Sequence, residues 1–154
     1  MNLTANFTLH ELTKSETALR LNIDNTPDEA KIEALRLLAV KVLQPVRDHY
    51  GVGVKVNSAY RSPETNQATG GSLTSDHCKG MAADIEIPGV ANAELAQWIM
   101  YNLEYTQLIL EFYTPGIPDS GWVHVSYDPD DLKKQELTAM KVAGKTQYVP
   151  GLVA

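Results

Sequence analysis

An α+β fold with a mainly antiparallel sheet and flanking helices follows from three features of this 154-residue sequence. Helix signals crowd its first third, and the segments that alternate apolar and polar residues come later. Two of those segments, residues 107–113 and 121–127, are joined by a short stretch rich in Pro and Gly, as adjacent antiparallel strands usually are. The length, with 44% hydrophobic and 21% charged residues, suits one domain, 1–154, around one core.

Phe7-Thr8-Leu9-His10-Glu11-Leu12 predicts a helix start: Thr8 caps, Glu11 closes a capping box and Phe7 staples onto Leu12. Thr26-Pro27-Asp28-Glu29 repeats the device with proline at the first helical position. A long helix is expected to follow, because Ile32, Leu35, Ala39, Val42, Val46 and Tyr50 recur at spacings of three and four. Gly51 suits its stop, and Pro45 is expected to kink its last turns.

Residues 54–58 alternate as a short strand, and 61–72 read as loop with a helical turn inside. Residues 83–87 form a second strand with Asp84 and Glu86 opposite Ile85 and Ile87. Asn92 is expected to cap a helix that turns Leu95, Trp98, Ile99 and Leu103 inward. After the 107–113 and 121–127 hairpin, Asp128-Pro129 is expected to open a short last helix. Residues 138–149 hold a small hairpin about Ala143-Gly144-Lys145.

The net charge of -6, with no clustered Lys/Arg stripe, argues against a nucleic-acid partner. Cys78 is the only cysteine, so no internal disulfide can form. The first residues show neither a basic stretch nor an apolar run, so no secretory signal is expected and synthesis in the cytoplasm is. No window approaches about 18 consecutive apolar residues, so no membrane partner is expected. A monomer is expected.

His77 and Asp84 stand seven residues apart in Thr74-Ser-Asp-His-Cys-Lys-Gly-Met-Ala-Ala-Asp84, and a second histidine, His124, lies in Trp122-Val123-His124-Val125-Ser126. Two imidazoles and one carboxylate are what a catalytic zinc needs to keep a fourth position open. In a strand, Trp122, His124 and Ser126 share a face opposite Val123, Val125 and Tyr127, so His124 is presented beside an indole wall. Gly80, Ala82 and Ala83 are small, which lets loop and strand converge on one ion.

Hydrolysis also needs a general base. If the hairpin is symmetric about Ile117, Glu111 lies opposite Val123 or His124 and reaches the metal face. Gln107, Ile109, Glu111 and Tyr113 then share that side, while Leu108, Leu110 and Phe112 form a core stripe. Asp119, five residues before His124, is the rival base, and Glu86 is a third candidate. Arg61, at the end of a strand, is the choice for pairing with a substrate carboxylate or a developing oxyanion. A structural pair between Arg61 and Glu64 is the alternative. Ser75 would bind substrate or orient its loop, and Trp122 would line the substrate site. His10 and His49 lack ligand-spaced partners and are expected at the surface, and Cys78 is left out of the site.

Ser75-x-His77-x-x-Gly80-x-Ala82-x-Asp84, with Ser58-Ala59-Tyr60-Arg61-Ser62, Gly70-Gly71-Ser72 and Trp122-Val123-His124-Val125-Ser126, closely resembles the zinc D-Ala-D-Ala carboxypeptidase family. That family includes peptidoglycan L-alanyl-D-glutamate endopeptidases of bacteriophage lysis and is related to the hedgehog fold. The resemblance runs from about Phe7 to Asp128. It implies one Zn2+ held by His77, Asp84 and His124, Arg61 as the substrate or oxyanion contact, and peptidoglycan stem peptides as substrate. It also implies action on the cell wall, with phage-type release in place of a signal. One departure stands out: many members place the catalytic carboxylate three residues before the last histidine, and here that residue is Gly121. Loss of hydrolysis, leaving a zinc-stabilised binding module, is the alternative this departure raises.

Overall fold

A computed structural model of the protein describes residues 1–153. Its first element, α1 (Leu9–Thr13), starts where the capping pattern predicts, with the Thr8 hydroxyl accepting from the Glu11 N–H at 3.1 Å and Phe7 and Leu12 both in the core. A second short helix, α2 (Glu16–Leu21), was not expected; Ser15 caps it and Asn22, at φ 54, closes it in the left-handed region. Asp28, not Thr26, caps the helix that follows, α3 (Glu29–Leu38), by accepting from the Lys31 N–H. Pro27 therefore lies before the helix rather than at its first position.

The expected long helix is interrupted by a π-helical turn, Ala39–Leu43, before α4 (Gln44–Tyr50). Proline cannot donate to the carbonyl four residues back and its ring crowds that group. The widened turn, in which the Gln44 N–H reaches the Ala39 carbonyl, accommodates Pro45 without ending the helix. Leu35, Leu38, Ala39, Val42, Leu43 and Val46 are fully buried along its inner face, and Gly51, at φ 70, stops it.

A six-stranded sheet packs against these helices in the order β1 (Lys55–Ser58), β2 (Ala82–Glu86), β4 (Trp122–Ser126), β3 (Gln107–Glu111), β5 (Gln135–Val142), β6 (Lys145–Pro150). Every neighbouring pair is antiparallel except β3 and β5, so the expected α+β class with a mainly antiparallel sheet is the observed one. Between β1 and β2 lie α5 (Pro63–Ala68), capped by Ser62, and a 3-10 turn, Asp76–Lys79.

The helix α6 (Asn92–Asn102) buries Leu95 and Ile99 as expected, but Asn92 does not cap it. Its amide instead donates to the Ser120 and Gly121 carbonyls and to Glu86 Oε1, tying the approach to β4 onto the helix start. No helix forms at Asp128-Pro129, where Asp128 holds a turn by accepting from the Asp130 and Asp131 N–H groups. The C-terminal hairpin is longer than expected and is part of the main sheet, because β5 lies parallel beside β3.

One face of the sheet, with Ile85, Leu108, Leu110, Val123 and Val125, closes the core against the helices. The other face carries Asp84, His124 and Glu111. No described helix is long and apolar enough to cross a membrane.

Candidate metal centre

Sheet register places two of the three proposed ligands. Asp84 on β2 is the direct cross-strand partner of His124 on β4, so both side chains rise from the same face at neighbouring positions. The third, His77, sits in the 3-10 turn, whose start is fixed by the Ser75 hydroxyl accepting from the His77 N–H at 3.2 Å. Gly80 ends the turn at φ 73, and a Cβ there would strike the Lys31 carbonyl of α3, so only glycine lets the turn lie this close to the helix.

The imidazole of His77 is buried, and its Nδ1 donates to the Ala59 carbonyl at 2.7 Å. That bond leaves Nε2 as the unprotonated nitrogen of the neutral ring, facing Asp84 Oδ1 at 3.4 Å. His124 approaches the same oxygen through Nδ1 at 3.0 Å. One donor atom from each of the three residues lies within 4.8 Å of the others, close enough to hold a metal.

Burial by itself would raise the Asp84 carboxyl, but the hydrogen bond from His124, with the His77 imidazole beside it, outweighs burial and holds the group well below the ordinary carboxylate range. Asp84 is therefore an anion at neutral pH. Burial also disfavours a charged His124, yet the hydrogen bond to Asp84 and the nearby carboxylates raise its pKa. Two imidazole nitrogens and one ionised carboxylate, one ring oriented by a backbone carbonyl, make a donor set that fits zinc.

These residues line an open cleft of about 740 Å³ that also takes in Arg61, Ser75, Glu111 and Trp122. Glu111 pairs with Trp122 rather than with Val123 or His124, because the turn is centred just before Ile117 instead of on it. Cross-strand pairing still puts both side chains on the metal face, where the Trp122 indole Nε1 donates to Glu111 Oε2 at 2.5 Å. Burial, then the Asp84 charge, push the Glu111 carboxyl above its ordinary value, against the pull of His124, Trp122 and Arg61.

Arg61 is locked to the metal-bearing turn by its backbone N–H, which donates to the His77 carbonyl at 3.2 Å. Its Nε is buried without a hydrogen-bond partner, and among the described residues it pairs with neither Glu64 nor any other carboxylate. Asp119 lies elsewhere. It lines a separate cavity with Lys55, Pro88 and Glu86, and Glu86 is engaged there by Asn57, Asn92 and Lys55. Cys78 is half-buried outside the cluster, where burial pushes its thiol up, and His10 and His49 are exposed.

Phe112 corrects the expected core stripe. At φ 57 it breaks the two-residue alternation, so its ring turns onto the metal face, 5.4 Å from the Trp122 ring centre, while Tyr113 packs against the core in its place. Lys141 and Tyr148 of the C-terminal hairpin also line the cleft and were not anticipated. The strand alternation of the hairpin contained their direction, but nothing local announced that β5 would dock beside β3.

No curated protein matches the chain. A family model described as Peptidase M15 matches residues 5–126, a span that contains all three candidate ligand positions, Arg61 and Glu111. The chain therefore belongs to the Peptidase M15 family.

Proposed function

We propose that the protein is a zinc-dependent peptidase that hydrolyses peptidoglycan stem peptides, as a D-Ala-D-Ala carboxypeptidase or a phage-type endopeptidase acting at the cell wall. The convergence of His77, Asp84 and His124 in one cleft with Glu111 carries this reading. The ion, when bound, supplies Lewis acidity to the scissile carbonyl and a nucleophilic water near neutral pH.

The chain's own residues do the rest. Glu111, with its affinity for a proton raised by burial, takes the proton released as water adds and returns it to the leaving amine. Trp122 holds that carboxylate in place through its indole N–H. Arg61 offers an otherwise unpartnered guanidinium to the developing oxyanion or to a substrate carboxylate. Ser75 acts through the His77 turn, and the Ala59 carbonyl keeps His77 in the ligating tautomer.

Incubating the zinc-loaded protein with purified peptidoglycan and weighing the products by mass spectrometry tests the reading. Free D-alanine identifies a carboxypeptidase, and longer peptides identify an endopeptidase. Protein that holds zinc yet cleaves none of a broad muropeptide panel would instead be a binding module.

A further inference from the structure

We infer that the β5–β6 hairpin forms the second wall of the substrate cleft, with Lys141 binding a carboxylate of an extended peptide and Tyr148 packing beside it. This rests on the peptidase reading above and deepens it. The hairpin lies beyond residues 5–126 that the family model matches, so nothing in that match assigns it a role.

Sheet register carries the argument. Trp122, Glu111, Ala139 and Tyr148 are successive cross-strand partners on β4, β3, β5 and β6, so their side chains form one row on the metal face. Ala139, the small member of the row, is buried between Glu111 and Tyr148. Tyr148 is 53% exposed and close enough to feel the Glu111 charge, which helps raise its phenol after burial does.

Lys141 stands two residues after Ala139 and so shares that face. Its ammonium lies 5.5 Å from the centre of the Phe112 ring and donates to the Thr146 hydroxyl at 3.2 Å, which steadies it over the cleft. It has no carboxylate partner among the described residues.

Length then selects the ligand. Arg61 follows β1 and Lys141 is on β5, with β2, β4 and β3 between them. Four strand spacings of about 4.8 Å set the two backbones roughly 19 Å apart, and the long Arg and Lys side chains shorten that to a gap an extended pentapeptide of about 17 Å can bridge. A stem peptide crossing the metal has the length to reach both cations and carboxylates to offer to each. The geometry points to a substrate that occupies both sides of the scissile bond.

The test compares wild type, Lys141→Met, Lys141→Arg and Tyr148→Ala on a synthetic stem pentapeptide and on analogues with each carboxylate replaced in turn by carboxamide. Lys141→Met should lower kcat/KM about tenfold, mainly through KM, on the parent peptide. It should cost nothing further on the one analogue that lacks the contacted carboxylate, and Lys141→Arg should restore most of the loss. Tyr148→Ala should weaken all the peptides several-fold. Equal behaviour of Lys141→Met and wild type on the parent, or the same loss on every analogue, overturns the inference.

Absence of any cleavage by the zinc-loaded wild type would sink the peptidase reading alone. The hairpin is then judged by binding, followed through Trp122 fluorescence in a Trp98→Phe background. A Kd that Lys141→Met leaves unchanged, or no binding at all, overturns it.

Discussion

Gly121 stands three residues before His124, where the resemblance to zinc carboxypeptidases leads one to expect a carboxylate, and replacing it by aspartate separates two accounts of the site. The backbone there has φ 64, which an L side chain adopts at a cost of about 1–2 kcal/mol. A Cβ would also run into the Glu111 and Phe112 carbonyls at the end of the β3–β4 ladder. Relieving that overlap means opening the ladder end, at about 1 kcal/mol for each of one or two hydrogen bonds. Gly121→Asp should therefore lose roughly 2–4 kcal/mol of stability, a large share of the about 5–15 kcal/mol of a typical domain. Urea unfolding of the zinc-loaded variant measures the loss. The same substitution made in a Glu111→Gln protein should restore no turnover, because the carbonyl wall denies the new carboxylate a route into the cleft. Stability within about 0.5 kcal/mol of wild type, or recovered turnover in the double variant, would refute the reasoning.

Three further outcomes are expected. Glu111→Gln, which keeps shape and an acceptor for the Trp122 indole, should cut kcat by about 10²–10⁴ with zinc content unchanged by elemental analysis. Trp122→Phe should move the acid limb of the kcat/KM profile to higher pH. A general base works only when deprotonated, and the indole N–H stabilises that anion, so losing it adds to the upward push already given by burial and Asp84. Chelation should abolish activity yet leave a folded protein of lower Tm, since the core of Leu35, Leu38, Val42, Leu108 and Val123 needs no ion. Restoring zinc at about a thousandfold over its Kd should add about 4 kcal/mol, read by calorimetry, and His124→Ala should show no such gain.

The candidate ligand triad was legible because each member carries its own local signal. His77 lies in a polar turn ended by Gly80, and Asp84 and His124 sit on strands whose alternation assigns them a face. The helix start at Thr8 writes its cap into neighbouring residues in the same way. Other features were decided by partners distant in sequence. Asn92 resembles a cap in isolation, but the Ser120 and Gly121 carbonyls compete for its amide, and they arrive only once β4 has docked. Phe112 continues an apolar alternation on paper and leaves it because the chain turns left-handed at the end of β3.

Parallel docking of β5 on β3 joins these observations. The Phe112 N–H donates to the Ala139 carbonyl at 2.9 Å, so the residue that breaks the alternation is also pinned by the added strand. Its ring, turned to the metal face, becomes a shelf for the Lys141 ammonium and a neighbour of the Trp122 indole that holds Glu111. The hairpin beyond the family match is thus connected to the proposed base through the β3–β5 ladder, in which Glu111 pairs with Ala139, and through one aromatic contact. An insertion in β5 that shifted its register by one residue would point Lys141 away from the cleft and unseat Phe112 together. Tyr148 and the proposed base Glu111 thus stand in one continuous row of the sheet, with Lys141 two residues along β5, and a change at either end is expected to be felt at the other.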